Sequence, residues 1–297
     1  MAILVRDNDA LEINPLPGYD RDLTENGSDW LWTVTAIYIV SFLLIYAHSF
    51  VAKSGEKIFH YLYSIALLVG SIAYFAMASN LGWEGSDQAN EEDKGDPRQL
   101  FWAKYVYWVV AFPTVSIALG LMSNVSWATM IYWVGLCWTW LDTNTSLPTY
   151  ARVIAYLLSA YTASNYRWGF YAFGTVAWLA LAASVYMDGM KGAKRIEITS
   201  KHFTLLMGWT QLLWFLYVLA FGLTDGGNYL GVTPMFIWFG ILDVFMVPVL
   251  AFATVFFARS WDFGKLNLHF TQYGRVRQGG TFPEKQAAPA PIGEQAA

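Results

Sequence analysis

One cysteine, Cys137, stands in a chain of 297 residues. It lies in an apolar run, which excludes a disulfide framework and a thiolate metal site and leaves a small packing hydrophobe. Charge is scarce too. Asp, Glu, Lys and Arg make up 13% of the chain, against about 25% in a soluble domain. The net charge of −4 offers no basic face for nucleic acid. His48 and His60 have no Cys, His or Asp partners at metal-ligand spacing, so no metal is expected. No glycine-rich phosphate loop, nucleophile elbow or zinc motif occurs, so nothing marks an enzyme. A signal peptide needs an apolar stretch of about 7–15 residues, whereas Met1-Ala-Ile-Leu-Val is followed at once by Arg6, Asp7, Asn8 and Asp9. The first long apolar run is expected to act as its own insertion signal.

What abounds is apolar: 56% of residues are hydrophobic and 18% aromatic. They fall in long runs broken by short polar stretches, the pattern of a polytopic helical membrane protein. Spans are expected over about 29–52, 58–81, 99–122, 166–187, 203–223 and 232–257, with an irregular fourth segment between the third and the fifth. Residues 1–27, with Pro15, Pro17 and Gly18, read as a flexible outer tail. Residues 259–297, basic and then rich in Pro and Ala, read as a disordered tail. An acidic loop runs from Glu84 through Asp87, Glu91, Glu92 and Asp93 to Asp96, and Asp225-Gly-Gly-Asn228 reads as a turn.

Lys and Arg gather in alternate loops: Lys53 and Lys57, then Lys191, Lys194, Arg195 and Lys201, then Arg259, Lys265, Arg275 and Arg277. With seven spans these share one side, which places the N-terminus outside and the C-terminus in the cytoplasm. Asn26 and Asn144 head glycosylation tripeptides that would then face outward; Asn124 heads a third.

The fourth segment has two apolar halves, 127–141 and 153–162, each shorter than the roughly 20 residues a span needs. Between them lies the polar stretch 142–152, whose backbone cannot face lipid. Either it is an insertion bulging from the helix near the outer surface, or the segment is a broken helix lining a cavity. The first is preferred, because the halves joined would make one normal span.

The last span holds one acid. In Phe239-Gly-Ile-Leu-Asp-Val-Phe-Met-Val-Pro248, Asp243 costs roughly 2.5–3.5 kcal/mol to place in a bilayer and so marks a functional site by default. One helical turn later, on the same face, stands Val247.

Four blocks carry a resemblance: Lys104-Tyr-Val-Tyr-Trp108 with Pro113, Asn165-Tyr-Arg-Trp-Gly169, Thr224-Asp-Gly-Gly-Asn228, and Gly240-Ile-Leu-Asp243 with Pro248. In this order across seven spans they resemble the microbial, retinal-binding opsins, specifically the fungal opsin-related subgroup that lacks the retinal-binding lysine. The resemblance implies an all-α seven-helix membrane bundle over 28–258. In that family retinal is held as a Schiff base on a lysine one turn after the aspartate. That position is Val247, which has no amine to condense with an aldehyde. The family's proton acceptor falls on Tyr107, its usual arginine on Lys104 and its cytoplasmic proton donor on Ala118. Three groups that a light-driven proton pump needs are therefore absent together.

The resemblance keeps more of the pocket's shape. Trp108, Pro113, Trp214 and Tyr217 match the family, Val218 stands for the usual proline and Phe221 for the usual tryptophan, and Tyr171 and Trp178 fall on ring-lining positions. A cavity lined by these aromatics is one expectation, and a solid aromatic core is the other. In the family fold Lys104 and Asp243 both point into the outer half of the bundle. A buried base and acid are tolerable together and costly apart, so a direct or water-bridged Lys104–Asp243 ion pair is expected, with Tyr107 bonded to it; the alternative is a Lys104 that snorkels outward.

The implied function is that of an opsin-like plasma-membrane protein without covalent retinal. It would act in stress by contact with lipid or membrane proteins, the plasma-membrane proton ATPase among them, and is compatible with homo-oligomers. The alternative is a sensor or carrier that holds a hydrophobic ligand such as retinal non-covalently. A light-driven transporter comes third.

Overall fold

In a bilayer an apolar run can satisfy its backbone only as a helix or in a closed barrel, and runs of about 20 residues cross as helices. The computed structural model of the chain describes residues 8–53, 55–88, 97–141, 155–263 and 266. Among these, six helical stretches are long and apolar enough to cross a membrane. They are α2 (Glu25–Ser49), α3 (Lys57–Ala78), α4 (Trp102–Ser123), the stretch from α7 (Arg167–Ser184) to α8 (Met190–Arg195), α9 (Glu197–Leu223), and the stretch from α10 (Val232–Val244) to α11 (Leu250–Ala258). A seventh position is filled by α5 (Trp127–Leu141) and α6 (Ala155–Tyr161). The polar stretch between those halves lies outside the described residues, as do Glu91, Glu92, Asp93, Asp96, Asn144 and the tail beyond Leu266.

Successive helices touch in chain order, and α10 returns to α2, which closes a ring. α4 is its hub. Of its most apolar 18 residues 78% are buried, against 33% in α2 and 28% in Arg167–Arg195, whose other faces are left for lipid. Two stretches widen into π-helix, Val185–Gly189 and Phe245–Val249. The second contains Pro248, which has no N–H to give and so loosens the preceding turn. Asn80, Asn124 and Asn228 take left-handed backbone at loop positions, with φ of 54°, 50° and 54°; asparagine tolerates this because its side chain bonds locally.

The sequence reading missed two features at one end of the bundle. Trp83–Asp87 (β1) and Pro97–Phe101 (β2) form an antiparallel hairpin, pairing Trp83 with Phe101 and Asp87 with Pro97. Ser86 Oγ donates to the carbonyl of Ala160 at 3.1 Å, which ties the hairpin to α6. The segment 8–27 is not a free tail over its described residues, contrary to the expectation. It contains a short helix α1 (Ala10–Ile13), and Asn14 Nδ2 donates to Ser79 O while Asn80 Nδ2 donates to Asn14 O. Leu23 is fully buried, and its N–H donates to Gln99 Oε1 at 2.9 Å. Thr24 caps α2 by accepting from Gly27 N–H. Asparagine, threonine and glutamine here are the anchors of a segment whose Pro and Gly content reads as loose.

Candidate functional site: two buried acids

Among the described residues two aspartates are buried, and each is solvated differently. Asp243, on α10, is fully buried. Trp108 Nε1 donates to its Oδ1 at 3.0 Å, the Tyr217 hydroxyl donates to the same oxygen, and the Tyr74 hydroxyl donates to Oδ2. The Tyr38 hydroxyl donates to the backbone carbonyl of Asp243 at 2.8 Å and lies 2.5 Å from the Tyr107 hydroxyl. Helices α2, α3, α4 and α9 thus each aim one polar aromatic tip at a single residue. No Lys or Arg lies within ion-pair distance of its carboxylate among the described residues.

The expected Lys104–Asp243 ion pair is not formed. Lys104 Nζ sits 2.5 Å from Asp225 Oδ2, with both side chains buried. The Tyr105 hydroxyl donates to the same oxygen at 2.6 Å, and Arg98 Nη2 stands 3.3 Å from Oδ1, a charge contact rather than an aligned hydrogen bond. The physical reason is the turn after α9. It folds inward because Arg98 Nη1 donates to Asn228 Oδ1 at 2.7 Å and to Leu230 O at 3.0 Å, and Arg21 Nη1 donates to Asn228 O at 2.7 Å. Asp225 is carried with it, nearer the head of α4 than Asp243 lies. Burial alone would push the Asp225 carboxyl up, but Lys104 and Arg98 outweigh it and hold the group below its ordinary value. Lys104 is 1% exposed, so it does not snorkel outward either.

Trp108 links Asp243 to the cation that holds Asp225. Its indole N–H holds Asp243, and its ring lies 5.3 Å from Lys104 Nζ. Phe239, 4.5 Å from the same ammonium, adds a second face over the cation. Tyr107 joins Tyr38 instead of the ion pair.

The residues expected to line a pocket divide. Tyr107, Trp108, Pro113, Trp214, Tyr217 and Phe221 are buried, while Tyr171 and Trp178 are half-buried. The buried rings lie against one another: Trp108 stacks on Phe112 and Phe112 on Trp140, while Trp140 meets Trp214 edge-on. Tyr156 stacks on Phe221 at 4.1 Å and on Tyr171 at 5.6 Å. Trp178 turns to Phe215 at the edge of the bundle. Val247, in the π-helical turn after Asp243, is fully buried and offers only hydrocarbon.

Sequence reasoning missed Asp225, Tyr38 and Tyr74. An acid in a Gly-Gly turn reads as solvent-exposed, and tyrosines in a tyrosine-rich chain read as core. The available signal was that Lys104 and Arg98, both inside or beside a span, need an anionic partner.

No family model matches the chain. The chain is 31% identical over 268 residues, covering 90% of it, to a protein of Trametes versicolor called FDD123, of which 89% is covered. It is 30% identical over 275 residues to the opsin-like protein carO of Fusarium fujikuroi, covering 90% of this chain and 86% of that one. This chain belongs to the fungal opsin-related proteins of the microbial opsin family. The 30 kDa heat shock protein of Saccharomyces cerevisiae is 27% identical, with 80% of this chain and 74% of that one covered. Among solved structures, the light-driven proton pump rhodopsin of Coccomyxa subellipsoidea superposes with a TM-score of 0.72 at 21% identity, over 80% of this chain and 98% of that one. At that identity the likeness shows the fold alone. The opsin-related chain is thus a multi-pass membrane protein with the helical bundle of the microbial rhodopsins.

Proposed function

We propose that this opsin-related protein is photochemically silent: it holds no covalent retinal, pumps no protons, and acts by contact with other membrane components under stress. The observation that carries the reading is Val247. A Schiff base needs an amine, and the last span from Val232 to Ala258 contains no lysine. The one lysine buried near the site, Lys104, is committed to Asp225. Asp243, which would face such an amine, spends both oxygens on Trp108, Tyr74 and Tyr217. The residues present therefore do not fit the covalent chromophore. The face-to-face and edge-on contacts of Trp108, Phe112, Trp140 and Trp214 favour this reading over a non-covalent carrier of a hydrophobic ligand.

The heat-shock name of one relative supports a role in stress; the proposal adds residence in the plasma membrane, with the proton ATPase among the contacts. The Lys and Arg bias supports an Asp225 end that faces outward and an Arg259 end in the cytoplasm. The test has two arms. Proteoliposomes given all-trans retinal should show no light-induced pH change; a light-driven proton flux overturns the reading. The tagged protein, isolated from heat-stressed membranes, should bring down the proton ATPase or another membrane protein in excess over unstressed ones; no such enrichment counts against the contact role.

A further inference from the structure

At the opposite end of α9 from Asp225, three imidazoles meet the residues that follow the last span. Arg259 Nη2 lies 3.2 Å from His48 Nε2. Guanidinium can only donate, so that nitrogen is the acceptor. His48 Nδ1 therefore carries the proton of the neutral ring, and it lies 2.7 Å from His60 Nε2, which must accept. His60 Nδ1 then donates to the carbonyl of Glu56 at 3.0 Å. The chain of bonds runs one way, from Arg259 through both rings to the start of α3, and every ring nitrogen is used once. The two rings stack with planes 9° apart.

Two residues on, Trp261 Nε1 donates to His202 Nδ1 at 3.0 Å, and His202 stacks on Phe257. Trp261 is itself buried and meets Phe59 edge-on. Arg259 to Phe263 thus forms a short strap, hydrogen-bonded by its side chains to imidazole acceptors on α2 and α9.

We propose that this strap is an acid-released latch, docked while His48, His60 and His202 are neutral and freed when they protonate. Protonation removes the lone pair on His202 Nδ1 that holds Trp261. It also puts an N–H on His48 Nε2 facing the Arg259 guanidinium, or one on His60 Nε2 facing the N–H of His48, so a bond becomes a repulsion in either case. Neutral rings hold the strap, so docking is complete at neutral and alkaline pH and is lost as acid charges the imidazoles. The other charged groups on the surrounding elements are Lys53, Glu56 and Lys57 at the α2–α3 turn, Lys201 beside His202, and Asp262 on the strap.

The test is a nitroxide at Ser260→Cys, an exposed strap position, on the full chain in nanodiscs; Cys137 is fully buried and stays unlabelled. Between pH 8 and pH 5 the ratio of mobile to immobile label should rise about tenfold, with a midpoint in the imidazole range. In His48→Asn combined with His202→Gln, acceptors remain that cannot titrate, and the label should stay immobile throughout. An unmodified chain whose label does not respond overturns the latch, as does a midpoint near 4, which assigns the motion to Glu56 or Asp262. The titration of the unmodified chain decides this even where the double variant fails to fold.

Discussion

Asp225 and Asp243 are the same residue, both buried in one bundle, yet one is neutralised by cations and the other solvated by hydroxyls and an indole. Asp225 has Lys104 and Arg98 within ion-pair distance. Asp243 has two tyrosines and a tryptophan. The difference shows how a membrane bundle can keep an acid once no amine remains to pair with it. Several neutral donors share the work that one cation would do, and each is separately dispensable. The ion pair tolerates less, because without Lys104 the buried Asp225 carboxylate keeps only the longer Arg98 contact and the Tyr105 hydroxyl.

The largest effect should therefore come from Lys104→Met. Breaking a buried pair by removing one partner costs about 3–5 kcal/mol, so thermal unfolding in detergent should shift down steeply. Asp243→Asn should cost less, about 1–2 kcal/mol, since the amide oxygen still accepts and the tyrosine hydroxyls can turn. A double-mutant cycle between positions 104 and 243 should give a coupling well below that between 104 and 225; the reverse order would restore the ion pair the sequence suggested. Tyr74→Phe and Tyr217→Phe should each cost about 1 kcal/mol, one hydrogen bond apiece.

The smallest effect under ordinary conditions is on pH. Asp225 is held below its ordinary value, so its stabilisation is complete above the unfolded value, near 3.9, and is lost as pH falls through the lower folded one. Melting temperature should fall between pH 5 and pH 3 in the unmodified protein, and more shallowly in Asp225→Asn.

The spans were legible because apolar length alone sets them. Observed helices begin or end within a few residues of the expected bounds, and α9 extends back to Glu197 because its polar first turn carries no apolar signal. Spacing put Asp243 and Val247 one turn apart in the last apolar run, and both are buried there. The hairpin was not legible: Trp83-Glu-Gly-Ser-Asp87 neither alternates nor carries β-branched residues, and its pairing rests on a partner ten residues and more away. Asp225 was misread because its burial depends on Arg21, Arg98 and Asn228, which lie up to about two hundred positions apart in sequence and meet only when the ring of helices closes.

Chromophore chemistry tests the central claim most directly. Purified protein is mixed with all-trans retinal, its visible spectrum is recorded, and borohydride is added. The account predicts no red-shifted band; a band that borohydride bleaches would mean that an amine in this bundle forms a Schiff base after all, and would contradict the reading of Val247 and Lys104.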